Sequence, residues 1–377
     1  MHILVVASRY PCSWSPKGGV FARDQARALQ RAGHKVTFAA INLGSGRSRR
    51  PIGLRRFTDD GIEVFYYSVP LSPLKFTFGA VGRHCFRTIL RRVRAELGTP
   101  DIVHAHFLGV SSIIASVCQE ENLPLVITEH SSTVNAPELK ASVLRNMRKT
   151  YPKANAVLAV GSTLSENIFR ATGVRATVVP NVVDTQIFCP ANGRCRENGC
   201  FRFSASGSLI QRKGYDLLLR AVGELRRRGY SLQLTVFGEG AERNELQKLA
   251  EAEGIDDCVD FRGHCSRKNL AEAYAESDAF VLASRWETFG VVYIEAMAAG
   301  LPVIATRCSG PEDFVTEKDG ILIPTDDVGA LTDAMEHMIL HRSEYDSASI
   351  AASAKERFSP ERIAARLTAI YEEVLSC

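Results

Sequence analysis

Residues 284–306 read SRWETFGVVYIEAMAAGLPVIAT, and this stretch carries the strongest fold signal in the chain. The apolar run AFVLA (279–283) comes directly before it, and PVIA (302–305) lies near its end. Short β-rich runs of this kind indicate buried strands, and the stretch that begins at Gly290 between them indicates a helix. A strand, a helix and a second strand in succession form the repeating unit of a parallel sheet.

The same alternation extends over the whole chain. In its first half, strands are predicted at 2–7, 35–40, 62–68, 101–104, 124–128, 155–160 and 176–179. A segment rich in Asn, Gly, Pro and Cys follows at 181–200. The pattern then restarts, with strands predicted at 201–206, 231–237, 258–261, 279–283, 302–305 and 321–323.

We therefore predict an α/β fold with two doubly wound, Rossmann-like parallel sheets, in domains at 1–184 and 200–359 joined by a linker at 185–199. The length of 377 residues agrees, because one hydrophobic core rarely serves so long a chain. A final helix at 360–377 is expected to pack back on the first domain. Ligands of such sheets bind beyond the carboxyl ends of the strands, so two facing sheets would enclose a cleft.

The composition is that of an ordinary globular protein, with 45% hydrophobic and 23% charged residues. The sequence has no run of 18 apolar residues that would indicate a membrane span. Its start, MHILVVASRYP, lacks the basic region and cleavage site of a signal peptide. These features predict a cytoplasmic protein in a reducing compartment.

Charge is distributed unevenly, with a net +12 over residues 1–184 and −8 over the remainder. Residues 83–97, RHCFRTILRRVRAEL, predict a basic amphipathic helix in the first half. One interpretation is a helix packed on the core with a solvated basic face. The alternative is peripheral docking on an anionic membrane surface, on the inner face of the membrane. Nucleic acid is not expected as a partner.

The ten cysteines contain no CxxC pair. Cys189, Cys195 and Cys200 cluster in a loop-like stretch, with His264 and Cys265 further along. This spacing matches no common zinc pattern, so reduced thiols are the favoured interpretation and a zinc site is the alternative.

Two stretches of the second half could bind an anionic ligand. Lys213 lies between the strand at 201–206 and the next helix, where its ammonium could meet a phosphate. The backbone N–H groups of Phe289, Gly290 and Val291 begin a helix and suit a diphosphate. Glu295 could accept hydrogen bonds from a ribose diol, and Glu287 from a sugar. Read alone, however, two glutamates near a helix are more often solvated surface charges.

The downstream context favours a site. With Glu287, Glu295, Ala296, Ala298, Gly300, Pro302 and Val303, the opening stretch resembles the signature of retaining GT-B glycosyltransferases of family 4, also called group 1. Other motifs agree along nearly the whole chain: Gly18–Gly19, DIVHAHF (101–107), TEHSS (128–132), VVPNVVDTQIF (178–188), GSLIQRKG (207–214), FGEG (237–240), FRGH (261–264), SGPEDFV (309–315) and DGILIP (319–324).

The resemblance assigns roles to individual residues. It implies His106, Glu287 and Lys213 as catalytic residues. Glu129 and His130, at the end of another strand, are candidates for either an acceptor site or an orienting role. The donor-binding residues that it implies are Gly18, Gly19, Ser208, Arg212, Lys213, Gly263, His264, Glu287, Phe289, Gly290, Val291 and Glu295. One position departs from the family, because Ser208 stands where an arginine is usual and two cations neutralise a departing diphosphate better than one.

The resemblance implies transfer of a hexosyl unit from a UDP- or GDP-linked sugar to an acceptor hydroxyl with retained configuration. A lipid-linked or envelope glycan is the expected acceptor. No cofactor or metal is expected, since the sequence contains no D-x-D. The alternatives are an epimerase-like enzyme on the same fold and a weakly active donor-binding subunit. A dinucleotide oxidoreductase is disfavoured because G-x-G-x-x-G is absent after the first strand.

Three polar residues are left with open roles. His104 shares a strand face with His106 and is either structural or part of the site. Asn181 is expected to shape the turn where the chain leaves the first domain. Glu312 either contacts the nucleotide sugar or caps a helix.

Overall fold

The computed structural model describes residues 1–15, 18–44, 51–71, 77–136, 138–190 and 199–376. The chain divides into two compact units: unit 1 is Met1–Val182 with Pro360–Cys377, and unit 2 is Val183–Ser359. The first boundary, predicted at 184, thus falls at 182. Among the described residues, no helix has the length and apolar character needed to cross a bilayer.

Unit 1 is built around a sheet with eight strands in the described ranges, in the order β3-β4-β2-β1-β5-β6-β7-β8. Its strands are β1 (His2–Ala7), β2 (Lys35–Asn42), β3 (Gly53–Asp59), β4 (Ile62–Ser68), β5 (Ile102–His106), β6 (Leu125–Glu129), β7 (Ala156–Ala159) and β8 (Thr177–Val178). Its helices are α1 (Val20–Arg31), α2 (Phe78–Leu97), α3 (Leu108–Glu120), α4 (Ala141–Thr150), α5 (Ser162–Thr172) and α12 (Pro360–Ser376). Strands β1, β5 and β6 are buried along their whole length, as expected of central strands covered on both faces.

The prediction of an all-parallel first sheet is wrong at one edge. Strand β3 pairs with β4 in antiparallel fashion, from Gly53 opposite Ser68 to Asp59 opposite Ile62. The two strands are joined at Asp60 and Gly61, which both have positive φ (52° and 77°). An Asp-Gly pair with left-handed backbone is a favoured two-residue hairpin turn. The sheet of unit 1 is therefore mixed.

The final helix belongs to unit 1. Helix α12 buries Ile363, Ala364, Leu367 and Tyr371, which join the same hydrophobic cluster as residues of α1 and β1. The C-terminal segment thus completes the core of the unit that contains the N-terminus.

Unit 2 contains a sheet that is parallel at every described pair, in the order β11-β10-β9-β12-β13-β14. The strands are β9 (Phe201–Ser206), β10 (Leu232–Phe237), β11 (Val259–Gly263), β12 (Ala279–Leu282), β13 (Val303–Thr306) and β14 (Gly320–Ile323). The helices are α6 (Tyr215–Arg227), α7 (Arg243–Glu253), α8 (Arg267–Glu276), α9 (Val291–Ala298), α10 (Val328–Leu340) and α11 (Ser347–Phe358). The strand order reverses beside β9, so the loops after β9 and β12 begin where such sheets bind ligands.

The cysteine cluster falls partly outside the described residues, because Cys195 lies in 191–198. Cys189 is exposed, and Cys200 and Cys265 are partly buried free thiols. Within the described ranges, no group of three or more His, Cys, Asp or Glu side chains could hold a metal ion. The expectation of a metal-independent protein remains a prediction.

Candidate functional site

Helix α9 begins at Val291, with Gly290 as its N-cap, directly after the loop that leaves β12. Gly290 has a φ of 92°, and a Cβ there would lie 2.6 Å from the Tyr293 ring, so the position requires glycine. The Tyr293 hydroxyl donates a hydrogen bond to the carbonyl of Leu282 at 2.9 Å, which fixes the helix to the end of its strand. The first N–H groups of a helix have no partner within it, so this end of α9 can bind an anion.

Glu287 lies in that loop and is buried, with 5% of its surface exposed. Its carboxylate forms an ion pair with the Lys213 ammonium, whose side chain is 11% exposed. It also accepts a hydrogen bond from the Ser284 hydroxyl at 3.0 Å. Its backbone N–H donates to the carbonyl of Cys308 at 3.1 Å. Two residues predicted as catalytic, 74 positions apart, are thus in direct contact.

Glu295 is also buried, and it pairs with a residue that sequence reasoning missed. The guanidinium of Arg267 donates to Glu295 Oε1 from Nε at 3.3 Å and from Nη2 at 3.1 Å. The same guanidinium lies 6.0 Å from the centre of the Phe188 ring. Neither glutamate is therefore a solvated surface charge, and each faces a cation within unit 2.

The loop after β9 carries Ser208 and Arg212. Ser208 is exposed, and the nearby Arg212 does not extend freely into solvent. Its guanidinium lies 5.8 Å from the centre of the Trp286 ring, and Nη1 donates to the Trp286 carbonyl at 3.5 Å. Arg212 thus holds the loop before α9, which leaves Lys213 as the cation beside Glu287.

Gly263, His264 and Phe289 are the other residues of unit 2 predicted to bind the donor, and Glu312 is a residue with an open role. The Gly263 carbonyl accepts a hydrogen bond from the Gly238 N–H at 2.8 Å, and His264 is exposed. The Phe289 side chain is buried against Phe314, with ring centres 5.1 Å apart, so only its backbone could bind a ligand. Glu312 accepts the Ser309 N–H at 2.8 Å in a capping box, which gives it the capping role.

The Gly18–Gly19 loop of unit 1 is tightly packed. A Cβ at Gly19 would lie 2.0 Å from the Arg9 carbonyl oxygen, and its φ is 80°. A Cβ at Gly18 would lie 2.5 Å from Cδ of Arg9. Close backbone approach and a positive φ therefore require glycine at 19, whereas a side chain at 18 would have to displace the Arg9 side chain.

Histidines gather at the carboxyl ends of β5 and β6. The His106 and His130 rings are joined by a hydrogen bond between Nδ1 and Nε2 at 3.0 Å. His130 Nδ1 is 3.1 Å from Asn181 Oδ1. His104 is held by Thr128 Oγ1 and the Tyr371 hydroxyl, each at 2.6 Å. Both ring nitrogens of His104 are thus bound within unit 1, which makes it structural.

All three histidines are fully buried, and burial disfavours the charged imidazolium. Desolvation lowers the pKa of His104 to about 3 and that of His130 to about 4. It also lowers the pKa of His106 well below its usual value, with the neighbouring histidines adding to the effect. The three rings are therefore neutral at pH 7.

Glu129 does not lie where an acceptor could reach it. Its side chain is 0% exposed and accepts hydrogen bonds from the N–H groups of Leu108 (2.7 Å), His130 (2.9 Å) and Ser131 (2.7 Å) and from the Tyr151 hydroxyl (2.8 Å). Burial raises its pKa, although these donors act in the opposite direction. The carboxylate orients the loop that carries His130 and has no exposed surface for an acceptor.

Comparison with known families identifies the chain. The family described as glycosyl transferases group 1 matches residues 201–356, and Glycosyltransferase Family 4 matches residues 18–187. A D-inositol 3-phosphate glycosyltransferase of Corynebacterium jeikeium is 30% identical over 316 residues, covering 76% of this chain and 75% of the relative. The chain belongs to the group 1 glycosyltransferases of family 4.

A second relative is more distant in sequence. It is a phosphatidylinositol N-acetylglucosaminyltransferase component of Arabidopsis thaliana, 25% identical over 365 residues and covering 93% of this chain and 77% of the relative. This group 1 chain is therefore a glycosyltransferase, of a family that acts on nucleotide sugars.

Solved structures show the same architecture. Sucrose-phosphate synthase from Thermosynechococcus elongatus aligns with a TM-score of 0.82 at 20% identity, covering 100% of both chains. Anabaena Alr3699/HepE in complex with UDP-glucose aligns with a TM-score of 0.74 at 18% identity, covering 99% of this chain and 100% of the other. The predicted GT-B fold class, with two Rossmann-like domains, is confirmed.

Proposed function

We propose that this glycosyltransferase moves a hexosyl unit from a UDP- or GDP-linked sugar to an acceptor hydroxyl, with retained anomeric configuration and without a metal. The observation that carries this proposal is the arrangement around α9 in unit 2. Glu287, which is paired with Lys213, lies before the start of α9. Glu295, which is paired with Arg267 of α8, lies in the second turn of α9. Along the chain, the helix amides at Gly290 lie between Glu287 and Glu295.

Each part of this arrangement suits one part of a nucleotide sugar. The helix start and Lys213 would take the diphosphate charge, which a metal supplies in other enzymes. The Glu295 carboxylate would accept hydrogen bonds from the ribose diol, and Glu287 from sugar hydroxyls. In the reaction, the bond from the anomeric carbon to the diphosphate oxygen breaks. The acceptor oxygen bonds to the same face of that carbon, and its proton passes to the departing diphosphate.

The acceptor is proposed to be a lipid-linked or envelope glycan. One supporting point is the relative from Arabidopsis, whose name specifies a phosphatidylinositol acceptor. The name of the Corynebacterium relative specifies a different acceptor, an inositol phosphate, which also bears hydroxyl groups. Contact with an anionic membrane through residues 83–97 belongs to the same proposal.

A panel of UDP-, GDP- and ADP-sugars in a thermal-shift assay tests the donor. We expect one UDP- or GDP-sugar to raise the Tm most. Incubation of that donor with acceptor should then give a product whose anomeric configuration, read by proton NMR, equals that of the donor. An inverted product would contradict retention, and isomerised sugar formed from donor alone would favour an epimerase.

The ribose contact is tested separately by calorimetry. Glu295→Gln should weaken nucleotide binding by roughly 1–3 kcal/mol, because it removes hydrogen bonds to a charged acceptor. Glu251→Gln, on the exposed surface of α7, is the matched control and should bind as the wild type does. Equal affinities for all three proteins would exclude the ribose role of Glu295.

Ser208 favours a second candidate, a donor-binding protein with weak activity. If one cation limits the reaction, Ser208→Arg should raise the rate of transfer while donor affinity changes less. Lys213→Met should lower transfer more than it lowers the free energy of unfolding. A wild type that binds donor but shows no transfer with any acceptor of the panel would favour the binding role.

A further inference from the structure

The hydrogen bonds of Asn181 and His130 determine which nitrogen of His106 carries the proton. The amide oxygen Oδ1 of Asn181 can only accept, and it lies 3.1 Å from His130 Nδ1. His130 Nδ1 must therefore carry a hydrogen and donate it. Because a neutral imidazole has one donor and one acceptor, His130 Nε2 is then an acceptor.

The same argument extends one residue further. His130 Nε2 lies 3.0 Å from His106 Nδ1, so His106 Nδ1 must carry the hydrogen in this pair. That leaves His106 Nε2 as a lone-pair acceptor. Its burial and that of His130 keep both rings neutral at pH 7. The order of donation is His106 to His130 to Asn181.

His106 Nε2 has no hydrogen-bond partner among the described residues, although it is buried. A buried polar atom without a partner is costly, and such atoms often mark functional positions. The atom lies at the carboxyl end of β5, the edge at which doubly wound sheets bind ligands. An acceptor nitrogen here pairs with a hydroxyl hydrogen, whereas a phosphate oxygen, which is itself an acceptor, would be repelled.

We propose that Asn181 is a positioning residue which, through His130, presents the Nε2 lone pair of His106 to a substrate hydroxyl. This inference rests on the proposed function, because it names the group that His106 meets in that reaction. It gives Asn181 a part in the reaction beyond shaping a turn. It also assigns the two residues to different groups of the substrate: His106 recognises a hydroxyl, and Lys213 recognises phosphate.

The surroundings of His130 support a fixed orientation. Its ring stacks on Phe21, with ring centres 5.9 Å apart and planes inclined by 16°, and lies 4.9 Å from Phe107. Phe107 has a φ of 69°, a backbone conformation that a bulky residue adopts only where its surroundings impose it. The Glu129 carboxylate holds the His130 N–H at 2.9 Å. Packing and hydrogen bonding therefore leave the ring little freedom to turn over.

Nitrogen-15 NMR of histidine-labelled protein tests the inference without any substrate. The two tautomers of a neutral imidazole have different nitrogen shifts, and the nine histidines can be assigned from single His→Gln variants. At pH 7 we expect His106 and His130 to carry hydrogen on Nδ1. A hydrogen on His106 Nε2 in the wild type would overturn the proposal, whatever the behaviour of the variants.

Variants at 181 connect the tautomer to the reaction. Asn181→Leu removes the acceptor, so the tautomers of both histidines should become mixed and kcat should fall roughly tenfold to a hundredfold. Asn181→Asp keeps an acceptor oxygen and should restore the Nδ1 tautomers and most of kcat at pH 8. The donor KM should change little, because Asn181 belongs to unit 1 and the proposed donor contacts of Lys213 and Glu295 to unit 2.

Asn42→Leu is the matched control, because it removes another buried amide of unit 1, one that donates to the Tyr66 hydroxyl at 2.8 Å. It should leave the histidine tautomers as in the wild type. Unchanged tautomers in Asn181→Leu, or changed tautomers with an unchanged kcat, would overturn the proposal while the glycosyltransferase activity stands. If no donor supports transfer, the proposed function fails, yet the NMR spectrum still decides the tautomer.

Discussion

At the scale of single residues, Glu295 of the proposed donor site is paired with Arg267. A buried carboxylate without a counter-charge is costly, and Arg267 supplies that charge through two hydrogen bonds to Oε1. The contact holds Glu295 in one orientation before any nucleotide arrives. A site that is already oriented loses less entropy on binding.

A double-mutant cycle on Arg267 and Glu295 measures this contact. Arg267→Met should lower the free energy of unfolding by about 1–3 kcal/mol, because it removes two hydrogen bonds to a buried carboxylate. Adding Glu295→Gln should restore part of the loss, giving a coupling energy of about 1 kcal/mol or more in urea denaturation.

The exposed pair of Lys268 and Glu272 in α8 is the matched control, with 84% and 62% of the two side chains exposed. Its coupling should be well below 1 kcal/mol, as is usual for surface pairs. Additive losses at Arg267 and Glu295 would show that the buried contact does not stabilise the fold.

The sequence could predict some of these residues and not others. Glu287 and Lys213 follow strands that lie in one sheet, so their proximity follows from the topology once the strands are recognised. Arg267 gives no such signal, because its meeting with Glu295 depends on how α8 packs beside α9. Glu129 shows a different limit, because the sequence left an acceptor-site role and an orienting role both open. In the sequence, a carboxylate at a strand end looks the same whether it contacts a ligand or loop amides. Only its burial in the structure distinguishes the two cases.

At the scale of elements, the parallel strands were predictable and the edge hairpin was missed. Central strands are apolar throughout and therefore stand out from the sequence. Strand β3, GLRRFTD, is half exposed and carries two arginines, so its pattern resembles a loop. The Asp60–Gly61 turn was the available signal, since Asp-Gly between two β-rich runs predicts a hairpin.

Helix α2 shows a similar ambiguity in residues 83–97. Its apolar stripe, Phe86, Ile89, Leu90 and Val93, is buried in unit 1. The stripe therefore cannot enter a bilayer while the unit is folded. Several of the arginines are also paired: Arg87 with Glu120, Arg92 with Glu96 and Arg94 with Glu121. Any contact of this helix with a membrane must therefore come from charge alone, which is screened by salt.

We therefore predict weak, salt-sensitive binding of this protein to vesicles of phosphatidylcholine with phosphatidylglycerol. Changing Arg87, Arg91 and Arg92 to Glu should abolish sedimentation with these vesicles at low salt. The matched control changes the same number of charges in unit 2, at Arg226–Arg228. Binding that persists in high salt, or in the triple variant of α2, would contradict docking through this helix.

At the scale of the whole molecule, we expect the two units to respond differently to acid. The buried histidines of unit 1 have pKa values lowered by desolvation, to about 3 for His104 and about 4 for His130. Unfolding exposes these rings and returns their pKa values to about 6.5. Below that pH the unfolded chain binds more protons than the folded one. The stability of unit 1 is therefore complete above pH 6.5 and falls as the pH drops toward 4.

Other groups modify this balance without reversing it. The pKa of Glu129 is raised by burial, so its carboxyl group adds stability at low pH that is lost as the pH rises. That one group opposes five histidines of unit 1, because desolvation also lowers the pKa values of His2 and His34. In unit 2, burial of Asp216 opposes its ionisation, but the hydrogen bonds and charge of Arg285 outweigh burial and lower its pKa. Its contribution is lost only as the pH falls below about 4.

The two tryptophans of the chain report on the two units separately. Trp14 packs edge-on against Phe57 and Tyr66 in unit 1, with ring centres 5.8 and 5.9 Å away, whereas Trp286 lies under Arg212 in unit 2. Fluorescence of Trp286→Phe therefore follows unit 1, and that of Trp14→Phe follows unit 2. Both replacements keep an aromatic ring at the site.

We predict that, on acidification at fixed low urea, the Trp14 signal changes at a higher pH than the Trp286 signal. His104, His106 and His130 alone give unit 1 a loss of up to about 4 kcal/mol per pH unit, because each proton bound only on unfolding is worth about 1.36 kcal/mol per unit. His2 and His34, whose pKa values burial also lowers, add to this loss. The first transition should therefore be steep and fall between pH 6.5 and 4. His104→Gln removes one of the histidines that take up a proton on unfolding and should make the transition less steep. Coincident transitions of the two tryptophans, or an unchanged slope in that variant, would show that the histidines do not determine the acid stability of unit 1.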